Sequence, residues 1–128
     1  MIIHTHDYDS GFSPPMPVIE IQIQRRAGQS AITLTAIVDS GADATMIPLR
    51  YLRQLRARKG QTKWLLGTAG GRYEVDLYTI AVQVGQHRAL YLDVVGTERR
   101  DEVIVGRDLL NQYVVKLDAP SHTVEISE

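Results

Sequence analysis

The sequence predicts an all-β domain with one or two short helices, and three observations carry that expectation. Val18 to Gln24 alternates strictly, with Ile19, Ile21 and Ile23 on one face and Glu20, Gln22 and Gln24 on the other, which is the period of a half-buried strand. Ile32, Leu34, Ala36 and Val38 repeat the pattern against Thr33 and Thr35 after a glycine-bearing turn, Arg25 to Ser30, so the two runs make a hairpin. Further on, apolar runs rich in Val, Ile, Tyr and Leu recur between glycine turns, and only two short stretches carry a helical pattern.

Composition sets the frame. The chain has 128 residues, enough for one domain with a sizeable core and too few for two lobes. Its net charge of −1 comes from interspersed acids and bases, which gives no reason to expect nucleic acid or an anionic membrane as partner. Cysteine is absent, which excludes thiol chemistry and disulfides. Met1 to Ser10 has no signal-peptide core and no apolar run approaches a membrane span, so a soluble, cytoplasmic protein is the expectation.

In chain order, residues 1 to 17 form a polar lead-in with His4, His6, Asp7 and Asp9, closed by Pro14, Pro15 and Pro17. They are expected to be a loosely docked arm, separate from a single domain over residues 18 to 128. His-x-His followed by acids also opens the metal centre of barrel amidohydrolases, but such a barrel needs about 250 residues and no later ligand cluster completes a shell. Pro48 suits the first position of a helix. Leu49, Leu52 and Leu55 then form one stripe, Arg50, Arg53 and Arg56 a neighbouring one, with Gly60 as the stop, a pattern of one amphipathic helix with a solvated basic face. Thr62 to Leu66 and the run from Arg72 to Val84 flank the loop Gly67 to Gly71, a hairpin with a glycine-rich tip. That loop lacks the Gly-Lys-Ser/Thr ending of a phosphate cradle. After a turn at Gly85 to His87 comes a strand, Ala89 to Val95; then Glu102 to Val105, Gly106, and one or two helical turns. His87 and His122 are expected at the surface. Tyr113 to Leu117 and Thr123 to Ile126 close the chain as a last hairpin.

The chemistry concentrates where the first hairpin ends. Ala36-Ile37-Val38 delivers Asp39 to the end of a buried strand, with Ser40 and Gly41 directly behind it. A carboxylate there is costly unless it is hydrogen-bonded or changes protonation state, so Asp39 is either a well-satisfied structural group or a proton carrier. The triplet alone does not decide, because Asp9-Ser10-Gly11 repeats it in a polar lead-in ending at a proline turn. A second oddity is Arg107, a cation at a helix N-terminus, where the dipole disfavours positive charge. Asp43, four residues after Asp39, is its expected partner.

Ala36 to Pro48 resembles the active-site loop of aspartic peptidases: apolar residues, Asp, Ser or Thr, Gly, a small residue, then a tail that Thr45 and Ile47 fit. Ile104-Val105-Gly106-Arg107-Asp108-Leu109-Leu110 is similar to the second signature of the retropepsin-like branch, and the closing hairpin is more similar to the bacterial and eukaryotic cellular relatives than to the viral enzymes. Residues 1 to 17 match nothing in that pattern. The resemblance implies a small closed β-barrel whose active site forms at a homodimer interface, hydrolysis of peptide bonds without a cofactor, and no metal. Asp39 is then catalytic, Ser40, Gly41 and Arg107 support the loop, and Gly41, Ala42, Asp43, Thr68, Ala69 and Gly70 contact a peptide or protein substrate. The hairpin tip is the expected flap. One aspartate per chain cannot supply both an acid and a base, so the chemistry itself requires a second copy; in aspartic proteases, the standard case, two carboxylates about 3 Å apart share one proton. The same fold also admits a different class, a dimeric peptide-binding or assembly module without catalysis.

Overall fold

The computed structural model describes residues 2–66 and 70–128. Ten strands and two short helices follow one another as β1 (Ile3–Asp7), β2 (Val18–Gln24), β3 (Ala31–Val38), β4 (Met46–Pro48), α1 (Leu49–Leu55), β5 (Arg58–Leu66), β6 (Arg72–Val84), β7 (His87–Thr97), β8 (Val103–Val105), α2 (Arg107–Leu110), β9 (Val114–Asp118) and β10 (Thr123–Ser127).

Seven strands form one sheet in the order β2-β3-β8-β4-β7-β6-β5, and β2 also pairs with β6. That extra pairing closes β2, β3, β8, β4, β7 and β6 into a six-stranded barrel and leaves β5 outside as a flanking strand. Closure follows from the length of β6, whose one edge serves two partners. Its first half pairs with β5 up to Arg58↔Thr79, and its second half with β2 from Gln24↔Ala81. Inward residues of the alternating strands fill the barrel: Ile19, Ile21 and Ile23 of β2, Ile80 and Val82 of β6, and Val94 of β7 are all essentially inaccessible. Burial of each such aliphatic side chain stabilises by about 1.5–3 kcal/mol.

The path that matters for function runs around β8. The chain leaves β3, passes the end of β8, and returns on its other side as β4: β3 and β8 are parallel through Ile37↔Ile104 and Val38↔Val105, and β4 meets β8 antiparallel at Met46↔Ile104. The loop of residues 39 to 45 therefore wraps the C-terminal end of β8, where Gly106 begins the second motif.

Four local expectations are revised. The Leu49–Leu52–Leu55 stripe does face the core, but α1 stops at Leu55 rather than at Gly60. Arg56 takes a left-handed conformation (φ 56°), its N–H reaching Arg53 O, while Ala57 N–H reaches Leu52 O. These bonds satisfy the end of the helix without glycine, and Gly60 lies inside β5. Met46–Pro48 is a strand, where the sequence shows only a loop tail; Pro48 ends it and caps α1 instead of opening the helix. Third, β1 is not a loose arm: all five of its residues pair antiparallel with β10, which pairs with β9 in a second, three-stranded sheet. Tyr8 packs against the core and stacks on His122 with ring centroids 5.5 Å apart. Finally, His87 is half-buried, its Nε2 lying 3.1 Å from Gln112 Oε1 and its ring edge-on to Tyr113.

Candidate active site

Asp39 is the residue after β3, and its N–H donates to Val105 O at 3.0 Å, continuing the β3–β8 ladder by one rung. The next residues turn at once. Gly41 N–H donates to Asp39 Oδ1 at 2.9 Å and Ala42 N–H to Asp39 O at 3.1 Å, a turn in which the aspartate side chain holds its own loop. Asp9 and Gly11 make the same local bond at 2.8 Å, so the Asp-Ser-Gly triplet encodes a turn in both places. What differs is the surroundings: Asp9 is bonded through its backbone to Met16, whereas the loop after Asp39 is gripped by the second motif.

That grip has three parts. Arg107 N–H donates to Ala42 O at 2.9 Å. Its guanidinium donates to Ser40 O at 2.7 Å and forms an ion pair with Asp43, so the expected Arg107–Asp43 contact is present. The pair is exposed, with side chains 42% and 82% accessible, and belongs to the weak class of surface ion pairs worth about 0–1 kcal/mol. A positional role fits it better than a large energetic one.

The energetically stronger part was not visible as a site in the sequence. Thr45 is fully buried, and Asp108 takes up its polar groups: Thr45 N–H donates to Asp108 Oδ2 at 2.9 Å and Thr45 Oγ1 to Asp108 Oδ1 at 2.7 Å. Leu109 N–H also donates to Asp108 Oδ1 at 2.8 Å, and Gly106 N–H donates to Thr45 Oγ1 at 3.2 Å. A signal existed, because an acid in the first turn of a helix is placed where the dipole favours it. Gly106 completes the fit: a Cβ there would lie 2.7 Å from Ala44 C and 2.9 Å from Ala42 O, backbone atoms that cannot step aside.

Asp39 itself is half-buried, and among the described residues its side chain accepts only the Gly41 N–H. Ser40, Gly41 and Asp43 are exposed beside it and Ala42 is half-buried. The structure thus brings Asp39, Ser40, Gly41, Ala42, Asp43 and Arg107 together in one loop cluster. Thr68 and Ala69 lie outside the described residues. Gly70, at the end of the β5–β6 hairpin, is exposed with φ +86°, and beyond a register shift between Lys59 and Thr62 the hairpin pairs regularly from Thr62↔Asp76 to Leu66↔Arg72. Trp64 and Tyr73 are exposed on it, with the Arg72 guanidinium 5.5 Å from the Trp64 ring centre. No group of three or more potential metal ligands occurs among the described residues.

The family model described as retroviral aspartyl protease matches residues 13–118, and the chain belongs to that family. Among solved structures, the fold is similar to a retropepsin-like aspartic protease from Rickettsia conorii, with a TM-score of 0.65, 12% identity, and 98% of this chain and 91% of that chain covered. It is also similar to EIAV protease complexed with the inhibitor HBY-793, with a TM-score of 0.60, 20% identity, and 76% of this chain and 86% of that chain covered. No curated protein sequence matches the chain.

Proposed function

We propose that this protein is an aspartic endopeptidase that acts as a homodimer, each subunit giving one Asp39 to a shared pair. The observation that carries the reading is the contrast between two carboxylates of the same loop system. Asp108 uses both oxygens on Thr45 and Leu109, as a structural acid does. Asp39 keeps one oxygen without a protein donor among the described residues, half-buried at the end of a strand paired on both edges.

In the pair, the ionised Asp39 takes a proton from water as general base while the protonated Asp39 of the second subunit polarises the scissile carbonyl. The water oxygen bonds to the carbonyl carbon, and the proton passes on to the departing amide nitrogen as the C–N bond breaks. Arg107, Ser40 and Gly41 hold the loop; Gly41, Ala42 and Asp43 offer polar backbone and a carboxylate to an extended substrate, and the β5–β6 hairpin closes over it as a flap; Thr68, Ala69 and Gly70 are further proposed substrate contacts. The pH profile of hydrolysis should be bell-shaped and belong to the coupled pair.

The test is substitution. Asp39→Asn removes a titratable proton with almost no change in volume, so it should abolish peptide hydrolysis while leaving the circular dichroism spectrum and sedimentation unchanged. Asp9→Asn, in the matching turn, should retain full activity. Normal hydrolysis by Asp39→Asn would overturn the reading.

A further inference from the structure

The place where β6 hands its edge from β5 to β2 is also where three arginines meet. Arg58 starts β5 opposite Thr79, and Gln24 ends β2 opposite Ala81, so Arg25 and Arg26, which follow Gln24, come beside Arg58 although more than thirty positions separate them in sequence. Together with Thr79, Leu90 and Tyr91 they line a notch of about 470 Å³. All three arginines are exposed, and among the described residues none lies within 4.0 Å of a carboxylate. No acid is among the described residues that line the notch, and the Thr79 hydroxyl donates to Asp93 Oδ1 at 2.6 Å.

A second feature points at the same spot. The β6–β7 register slips between Ile80↔Leu92 and Val82↔Ala89, so Ala81 faces two residues, Leu90 and Tyr91. This is a β-bulge, which breaks the inside–outside alternation and re-aims side chains. Both residues consequently face solvent, at 53% and 85% exposure, where regular alternation would have buried one. A protein leaves a large aromatic and a leucine in water beside three unpaired guanidinium groups at some cost to solubility.

We propose that this notch is a docking site for an acidic linear peptide segment carrying an apolar or aromatic residue, in a protein partner or in a protein substrate outside the scissile region. Guanidinium groups bind carboxylates in bidentate fashion, while Leu90 and Tyr91 offer an apolar wall to the side chain between them. A nucleic-acid strand is the less favoured polyanion, because the chain as a whole carries a net charge of −1. The site is remote from the aspartate: the eight residues of β3 separate the arginine turn from Asp39, about 25 Å at ~3.3 Å per residue. It goes beyond the peptidase reading and does not depend on it.

Fluorescence anisotropy tests it directly, with a fluorescein-labelled Glu-Glu-Leu-Glu-Glu-Phe-Glu peptide as probe, the same peptide with lysine for glutamate, and labelled oligothymidylate. The Asp39→Asn chain serves as the protein, so that the probe stays intact. The acidic peptide should saturate below ~1 mM and weaken with salt, while the lysine peptide does not bind. Single Arg25→Ala, Arg26→Ala or Arg58→Ala changes should each weaken it about tenfold, the loss of one charge-assisted contact; the triple variant should lose it, and Tyr91→Ala should weaken it several-fold. Arg100→Ala, outside the notch, should change nothing. Failure of the acidic peptide to bind, undiminished affinity in the triple variant, or tighter arginine-dependent binding of oligothymidylate would each overturn the proposal.

Discussion

Asp39 and Asp108 lie on opposite sides of the same loop, and hydrogen bonding sorts them into different roles. Asp108 answers both polar groups of a threonine with no access to water, so its removal strands a buried hydroxyl and a buried N–H. Asp108→Ala should therefore lower the unfolding free energy by about 2–4 kcal/mol, one to three for each unsatisfied group with some relaxation, read from urea denaturation. Asp43→Asn, by contrast, breaks an exposed pair and should cost no more than ~1 kcal/mol. The sequence singled out Arg107 because a cation opening a helix is unusual, and its contacts with Asp43 and Ser40 are present. It passed over Asp108 because an acid opening a helix is ordinary. An acid in that place signals the start of a helix but not a site, until its buried partner, 63 positions away in sequence, is placed against it.

At the scale of elements, β2 was legible to the residue because one face is buried along its whole length, and β6 because nothing interrupts its β-rich run. β4 was not, since three residues carry no period and their partners, Val95, Gly96 and Thr97 of β7, are distant in sequence. The bulge at Leu90 and Tyr91 was hidden for the same reason: it is a property of the pairing rather than of the strand. β1 holds a pH-dependent contact. His4 and His6 project from one face of it into a cavity of about 220 Å³ shared with Glu20, Gln22, Gln83 and Gly85, and both Nε2 atoms are buried without a partner. Burial holds His6 below its ordinary value of 6.5; Glu20 opposes that shift and His4 adds to it. The depressed value means that the native state takes up this proton less readily than the unfolded arm, so the contribution to stability is intact above pH 6.5 and declines as pH falls below it. Protection factors of the β1 amides, which are exchange rates corrected for the intrinsic pH dependence, should fall between pH 7.5 and 5, and His6→Gln should flatten that fall; identical dependence in the variant would assign it elsewhere. The β5–β6 hairpin allows a separate test of the flap. A Cβ at Gly71 meets nothing within 4 Å and Gly71 has no positive φ, so Gly71→Val should leave the melting temperature unchanged while lowering peptide turnover strongly. Normal turnover would make the hairpin an ordinary exposed turn.

For the whole molecule, a six-stranded barrel with one strand outside it gives a rigid frame for a loop that offers a single aspartate. The closed barrel itself could be anticipated only through the resemblance of two motifs, because closure depends on β2 meeting β6, a long-range pairing that neither strand announces. The frame also sets what one copy lacks: an acid and a base cannot both come from Asp39, so the proposed chemistry belongs to a pair of chains. The most direct measurement holds the wild-type chain at fixed concentration, adds increasing Asp39→Asn chain under conditions where subunits exchange, and follows hydrolysis of a peptide substrate. If each site needs an aspartate from both subunits, an equal amount of variant should draw roughly half of the wild-type chains into inactive mixed pairs, and excess variant should suppress activity progressively. Hydrolysis that is absent from the wild type, or that stays constant however much variant is added, would contradict the account.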